Sequence, residues 1–193
     1  MAEDGPGPDA GGRRWLLVVL STAGGPASLR VHAWRLLRSL GALYLQQSVC
    51  LLPATDPLQR QVRRLLDRVR REGGTGRCLT LVLDPADEAA VVAEFRAARD
   101  EEYREVLDRV PAFLAELERE RARGRVTYLE VEECEADLAR FRSWLGKIEA
   151  RDHFGAPAGV AARAAVARCA AELAAFEAAA LAAEAPDGEA EHP

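Results

Sequence analysis

Two Arg-Asp pairs, each followed by an aromatic residue, form the pattern in this sequence best suited to holding an anion. They lie in ARDEEY (Ala98–Tyr103) and in EARDHFGAP (Glu149–Pro157). Several fixed guanidinium groups can hold a tetrahedral oxyanion through paired N–H bonds. The predicted oxyanion-binding residues are Arg99, Asp100, Tyr103, Lys147, Arg151 and Asp152. The alternative interpretation is a network of salt bridges that braces the ends of helices, and the sequence leaves both open.

A basic face on one predicted helix is a second candidate site. In TDPLQRQVRRLLDRVRREGG, the apolar residues fall on one side when placed at about 100° per residue, and the arginines fall on the other. Such a face can contact nucleic-acid phosphates. The alternative is an ordinary solvated surface, and the net charge of −5 argues against strong binding unless the patch acts locally. The predicted nucleic-acid-binding residues are Arg60, Arg63, Arg64, Arg68 and Arg71, with Arg70 beside them.

Other chemistry has little support in the sequence. The four cysteines are far apart and form no C-x-x-C, which favours reduced thiols packed as small apolar side chains. The acidic run from Glu130 to Asp137 has no Glu-x-x-His partner, so we interpret it as charge that complements a helix dipole. Nucleotide-binding loops and nucleophile motifs are also missing. We therefore predict a protein without metal, cofactor or enzymatic activity.

The stretch GALYLQQSVCLLPA (Gly41–Ala54) decides the predicted fold of the first half. Two apolar runs flank a polar tip, which favours a β-hairpin over one unusually long strand. A helix capped by Ser28 and stopped by Gly41 precedes it, and a helix starting near Asp56 follows it. The resulting order is that of an α+β, ferredoxin-like βαββαβ domain. A single strand would instead give a βαβαβ unit with a mostly parallel sheet.

The second half predicts helices with apolar seams. Seam residues recur at steps of three and four, which is typical of packed amphipathic helices. Pro111 predicts a kink or break in the first helix, and Thr127 with Glu130 predicts a capping box at the start of the second. An antiparallel helical hairpin and a third, Ala-rich helix follow. The seams are Tyr103, Val106, Val110, Phe113 and Leu117; then Val131, Cys134, Leu138, Phe141, Leu145 and Ile148; then Val166, Leu173 and Phe176.

The sequence thus divides into four predicted segments. They are a disordered tail over 1–13, the ferredoxin-like domain over 14–85, a helical bundle extension over 86–184 and a disordered tail over 185–193. The N-terminus lacks the basic start and apolar block of a signal peptide, and no apolar run approaches 18 residues. We therefore expect a cytoplasmic protein that does not enter a membrane.

Three stretches resemble the N-terminal domain of ChrB-type chromate-resistance proteins. They are WLLVVLSTAGGPASLRVHAWRLLRSLGALYLQQSVCLLPA, FRAARDEEYREV and TYLEVEECEADLARFRSWLGKIEARDHFGAP, which lie between Arg14 and Pro157. The resemblance extends over roughly Arg14 to Phe176. Its motifs are L-R-V-x-x-W, G-A-L-Y-L-Q and A-R-D-x-F-G-A. Longer members carry a second, C-terminal domain, and we expect this chain to stand alone without it.

This resemblance implies a regulatory or sensory role in a chromate-efflux operon. The implied partners are DNA and chromate or another oxyanion, with a second copy as a further candidate through the hairpin edge. The first half is also similar to PaaX-type repressors and CRISPR adaptation nucleases. Those nucleases use an Asp where this sequence has Ser21 and Thr22, so we expect no nuclease activity. The alternative is a structural interaction module without a small-molecule ligand.

Overall fold

The computed structural model describes residues 12–123 and 128–184. This part of the chain has an α+β architecture, as predicted, with a four-stranded antiparallel sheet and five helices. The strands are β1 (Arg14–Ser21), β2 (Leu43–Gln46), β3 (Val49–Pro53) and β4 (Thr75–Val82). The helices are α1 (Ala27–Ser39), α2 (Asp56–Arg71), α3 (Pro85–Arg123), α4 (Tyr128–Glu149) and α5 (Ala158–Glu184).

The stretch Gly41–Ala54 contains two strands rather than one. β2 and β3 pair antiparallel, with Leu43 opposite Leu51 and an irregularity in the register between Tyr44 and Gln46. The strand order across the sheet is β2-β3-β1-β4, and every neighbouring pair is antiparallel. The mostly parallel sheet of the alternative interpretation is therefore excluded.

The chain divides into two compact units. One comprises the described residues through Arg96 together with Ala150–Phe154, and is called the sheet unit below. The other comprises Ala97–Glu149 and the residues from Gly155 onward, and is called the helical unit. The sheet unit thus includes the first part of α3 and a five-residue segment that lies between α4 and α5 in the sequence.

Both faces of the sheet bear apolar side chains, because successive residues of a strand point to opposite faces. On one face, Leu16 and Val18 of β1 pack with the apolar sides of α1 and α2. On the other face, Trp15 packs with Phe95 of α3 and with Phe154. The continuous apolar run of β1 therefore supplies two separate cores.

The two ends of α1 are defined by backbone conformation and backbone hydrogen bonds rather than by a capping side chain. It starts at Ala27, and its N-cap is Pro26 with no side-chain cap, so the prediction that Ser28 caps the helix was wrong. At the other end, Gly41 adopts a φ of 76°, and its N–H donates to the carbonyl of Arg38. Glycine suits this left-handed conformation, and the predicted stop at Gly41 is confirmed.

The helical unit has one core in which the three predicted seams meet. Every seam residue belongs to this core or packs against it. The rings of Phe113 and Phe141 lie 5.7 Å apart, and the Arg109 guanidinium lies 5.2 Å from the Trp144 ring. Residues later in α3 contact residues earlier in α4, as in an antiparallel pair of helices. α3 continues through Pro111, so the helix does not break there.

Some predictions concern residues outside the described part of the chain. The disordered tails were predicted over 1–13 and 185–193, of which 1–11 and 185–193 lie outside the described residues. Thr127 of the predicted capping box also lies outside them. In the described part of the chain, none of the helices has the length and apolarity needed to cross a membrane.

Candidate functional site

The arginine face of α2 is the clearest charged surface of the sheet unit. The helix buries Leu58, Val62, Leu65, Leu66 and Val69 against the sheet. Its arginines lie on the opposite side because of the same helical period. Four of the predicted residues are exposed, and we call them the α2 arginine face: Arg60, Arg63, Arg64 and Arg71.

Ion pairs separate these four residues from the other two arginines of the helix. Arg68 Nε lies 2.6 Å from Glu72 Oε1, and Arg70 Nη1 lies 3.2 Å from Asp67 Oδ1. Arg70 also donates to the carbonyl of Gly76 at 3.2 Å. Within the described residues, no ion pair involves the α2 arginine face. Its positive charge is therefore available to an external anion.

The distribution of charge along the chain is uneven, a signal that the net charge conceals. Residues 12–83 contain twelve arginines and three acidic residues (Asp56, Asp67 and Glu72), a net charge of +9. Since the whole chain carries −5, the remaining residues carry −14. Strong charge asymmetry between parts of a chain suggests an interaction with nucleic acid or a membrane surface, or a charged tail. This asymmetry can be read from the sequence, but the net charge of the whole chain does not show it.

The first predicted oxyanion-binding residues have structural roles in the helical unit. Arg99 is buried, and its Nη2 lies 2.9 Å from Glu102 Oε1. Asp100 Oδ1 accepts a hydrogen bond of 2.7 Å from the N–H of Ala158, the first residue of α5. Tyr103 is fully buried, and a Cβ built at Gly159 would lie 3.0 Å from its ring. For Asp100 and Tyr103, these contacts favour the structural interpretation.

The remaining predicted residues belong to different parts of the chain. Lys147 is exposed on α4 of the helical unit, where it lines a shallow surface cavity with Arg109 and Trp144. Arg151 and Asp152 belong to the segment that is part of the sheet unit. That segment packs at the end of α1, where His153 Nε2 donates to the carbonyl of Leu40 at 2.8 Å. Whether the six residues bind an oxyanion stays a prediction.

The cysteines are free and largely buried. Burial raises the pKa of all four thiols, and that of Cys50 rises to about 12. A protonated thiol is neither a good nucleophile nor a metal ligand. Among the described residues, no group of three or more His, Cys, Asp or Glu side chains is arranged to hold a metal ion.

Comparison with known proteins identifies the family. A family model described as "Protein ChrB, N-terminal" matches residues 30–186. The chain belongs to the ChrB N-terminal family. This confirms the resemblance found in the sequence, and the family is related to chromate-resistance regulators. No curated protein and no solved structure matches the chain.

The ChrB N-terminal match covers both candidate sites. It begins inside α1, continues beyond the end of α5 and leaves out β1. The α2 arginine face and all six predicted oxyanion-binding residues therefore lie within the part of the chain that is characteristic of the family.

Proposed function

We propose that the chain is a regulatory module that contacts DNA phosphates through the α2 arginine face. The observation that carries this proposal is the combination of four exposed arginines that form no ion pair with the described residues and a net charge of +9 over residues 12–83. Phosphate contacts from arginine provide the sequence-independent part of DNA affinity. The relation of the family to chromate-resistance regulators supports a role in transcription.

The geometry of α2 suits contact with a phosphate backbone. Arg60, Arg64 and Arg71 are separated by four and seven residues, so they lie on one side of the helix about one and two turns apart. One turn is about 5.4 Å, so the three guanidinium groups form a row along the helix that can follow a phosphate backbone. Each planar guanidinium can bind a phosphate with two N–H groups.

The test is the salt dependence of binding to a labelled DNA duplex, measured by fluorescence anisotropy. Each phosphate contact contributes about −0.9 to the slope of log K against log salt concentration. The double variant Arg63→Gln, Arg64→Gln should lower the magnitude of the slope by about 1.8. The matched control is Arg142→Gln, Arg168→Gln, which removes the same charge from exposed positions of the helical unit and should leave the slope unchanged.

Two results would overturn the proposal. One is the absence of measurable binding by the unmodified chain at about 50 mM salt, where phosphate contacts are strong. The other is an equal change of slope in both double variants, which would mean that the total charge matters and the α2 arginine face does not.

We also propose that the sheet unit follows the ferredoxin-like plan. The element order of strand, helix, strand, strand, helix, strand over 14–82 supports it. So does a sheet in which β1 lies between β3 and β4, with α1 and α2 packed on one face.

Oxyanion binding is the sensory half of the proposal. The alternative is an interaction module without a small ligand, and the Asp100 bond to α5 favours it for that residue. We propose binding rather than catalysis in either case, and a purified protein that absorbs as a flavoprotein would contradict this.

A further inference from the structure

A cleft in the sheet unit is not explained by either candidate site. It has a volume of about 830 Å³ and lies between α1, the end of β1 and the β2–β3 hairpin. Cavities that bind small organic molecules are usually about 300–1,000 Å³. None of the residues that line it belongs to α2 or to the predicted oxyanion-binding set.

The walls of the cleft are aromatic and its floor is apolar. Trp34 lines it with 47% of its surface exposed, and Tyr44 lines it from β2. Leu37 and Cys50 are buried beneath them. The Arg38 guanidinium lies 5.2 Å from the centre of the Trp34 ring, which holds the indole in place by a cation–π contact. Flat apolar groups stack well on such walls.

The charge of the cleft selects the sign of a ligand. Among the described residues that line it, Arg30 is the one charged side chain, and no carboxylate is present. Arg30 is exposed and takes part in no ion pair within the described residues. Polar groups of Ser21, Gln46 and Ser48 complete the rim. An anionic group at Arg30 and a flat ring between Trp34 and Tyr44 would therefore satisfy both parts of the site.

The two titratable groups inside the cleft act as uncharged groups. Burial raises the pKa of Tyr44 to about 12 and that of Cys50 to about 12. At neutral pH the phenol is a hydrogen-bond donor, and the thiol is a small apolar surface without nucleophilic character. Neither group repels an anion, and neither provides a reactive centre.

We propose that this cleft binds a small organic acid with a flat aromatic body, and that Arg30 holds the acidic group while Trp34 and Tyr44 pack against the ring. Chromate and sulfate lack the apolar body that the walls would contact. The site is therefore distinct from the predicted oxyanion-binding residues. Failure of this proposal would leave the DNA contact of α2 untouched, because the two use different residues.

Calorimetric titration of the full chain with 2-naphthoate tests the proposal. We expect saturable binding at one site, whereas acetate, which lacks the ring, and 2-naphthylmethylammonium, which has the opposite charge, should not bind. Arg30→Gln should weaken binding about tenfold, as expected when a charge-assisted hydrogen bond is lost. Trp34→Ala should weaken it by a similar factor because the stacking wall is lost.

The matched control is Arg35→Gln, which removes the same charge from an exposed position of α1 outside the cleft. It should change the affinity less than about twofold. The proposal is overturned if 2-naphthoate shows no saturable binding up to about 5 mM, if the cation binds equally well, or if Arg35→Gln weakens binding as much as Arg30→Gln. Arg30→Lys, which keeps the charge, should retain more affinity than Arg30→Gln, and far-UV circular dichroism verifies the fold of each variant.

Discussion

Replacing Asp100 decides between the structural and the anion-binding interpretation of the first Arg-Asp pair. Its Oδ1 accepts the N–H of Ala158 at 2.7 Å, at the point where α5 begins. The first N–H groups of a helix have no partner inside the helix, so they depend on such acceptors. If the carboxylate serves α5 in this way, its removal weakens the helical unit whether or not an anion is present.

The magnitude follows from the contact. Loss of an acceptor at a helix N-terminus costs about 0.5–2 kcal/mol, and loss of the favourable charge near the helix dipole costs about 0.3–1 kcal/mol. Since Asp100 is half-buried, we expect Asp100→Ala to lower the free energy of unfolding by about 1.5–2 kcal/mol. Tm should fall by about 3–8 °C for a chain of this size.

Urea unfolding monitored by far-UV circular dichroism measures the change, and two variants serve as controls. Asp100→Asn keeps an acceptor oxygen and should lose less than half as much stability. Glu101→Ala removes an exposed carboxylate from the adjacent position of α3 and should stay within about 0.5 kcal/mol of the unmodified chain. Unchanged stability in Asp100→Ala, or equal losses in Asp100→Ala and Glu101→Ala, would refute the capping role.

Three further predictions concern the backbone, the anion and alkaline pH. Gly41→Ala should cost about 2–4 kcal/mol in urea unfolding, because φ is 76° and the new Cβ would lie 2.6 Å from the carbonyl oxygen of Arg151. Gly155→Ala, at φ 65° with no atom within 4 Å, should cost only about 1 kcal/mol, and equal costs would contradict the steric argument. At equal ionic strength, chromate should raise Tm more than sulfate, and Arg151→Ala should abolish the difference; equal shifts would exclude selective sensing. Burial raises the pKa of Cys50 from 9.0 to about 12, so the folded state holds this proton more tightly than the unfolded state. The corresponding stability should be complete below pH 9.0 and be lost toward pH 12, with a smaller loss in Cys50→Val; identical pH profiles for the two proteins would contradict this assignment.

The sequence predicted the elements of the sheet unit better than the packing on its second face. Periodicity and glycine positions located α1, α2 and the paired strands. The aromatic contacts of Trp15 with Phe95 and Phe154 depend instead on residues far apart along the chain. Arg96 Nε donates to the carbonyl of Phe154 at 3.0 Å, although 58 positions separate them. Local patterns carry no information about contacts between residues so far apart. The continuous apolar run over 15–20 of β1 nevertheless indicates that both faces of its sheet are covered.

The candidate sites show the same division between local and distant information. The α2 arginine face was predictable because one helical period separates buried leucines from exposed arginines. The hydrogen bond between Asp100 and Ala158 was not predictable, because it joins two different helices. In the sequence, Asp100 looks like a member of an ordinary i,i+4 charge pair. The aromatic cleft also was missed, because Trp34 and Tyr44 come from different elements and form no motif.

The net charge of the whole chain says little about the charge that a ligand meets at α2, for a physical reason. At an ionic strength of 0.1 M, charges separated by more than about 10 Å are largely screened from each other. A phosphate near α2 therefore responds mainly to the charges within about 10 Å of it, which include the arginines of that helix. The net charge of −5 includes charges that are too far from a given ligand to act on it. A chain that is acidic as a whole can thus present a strongly basic surface, and the salt dependence of binding measures that surface directly.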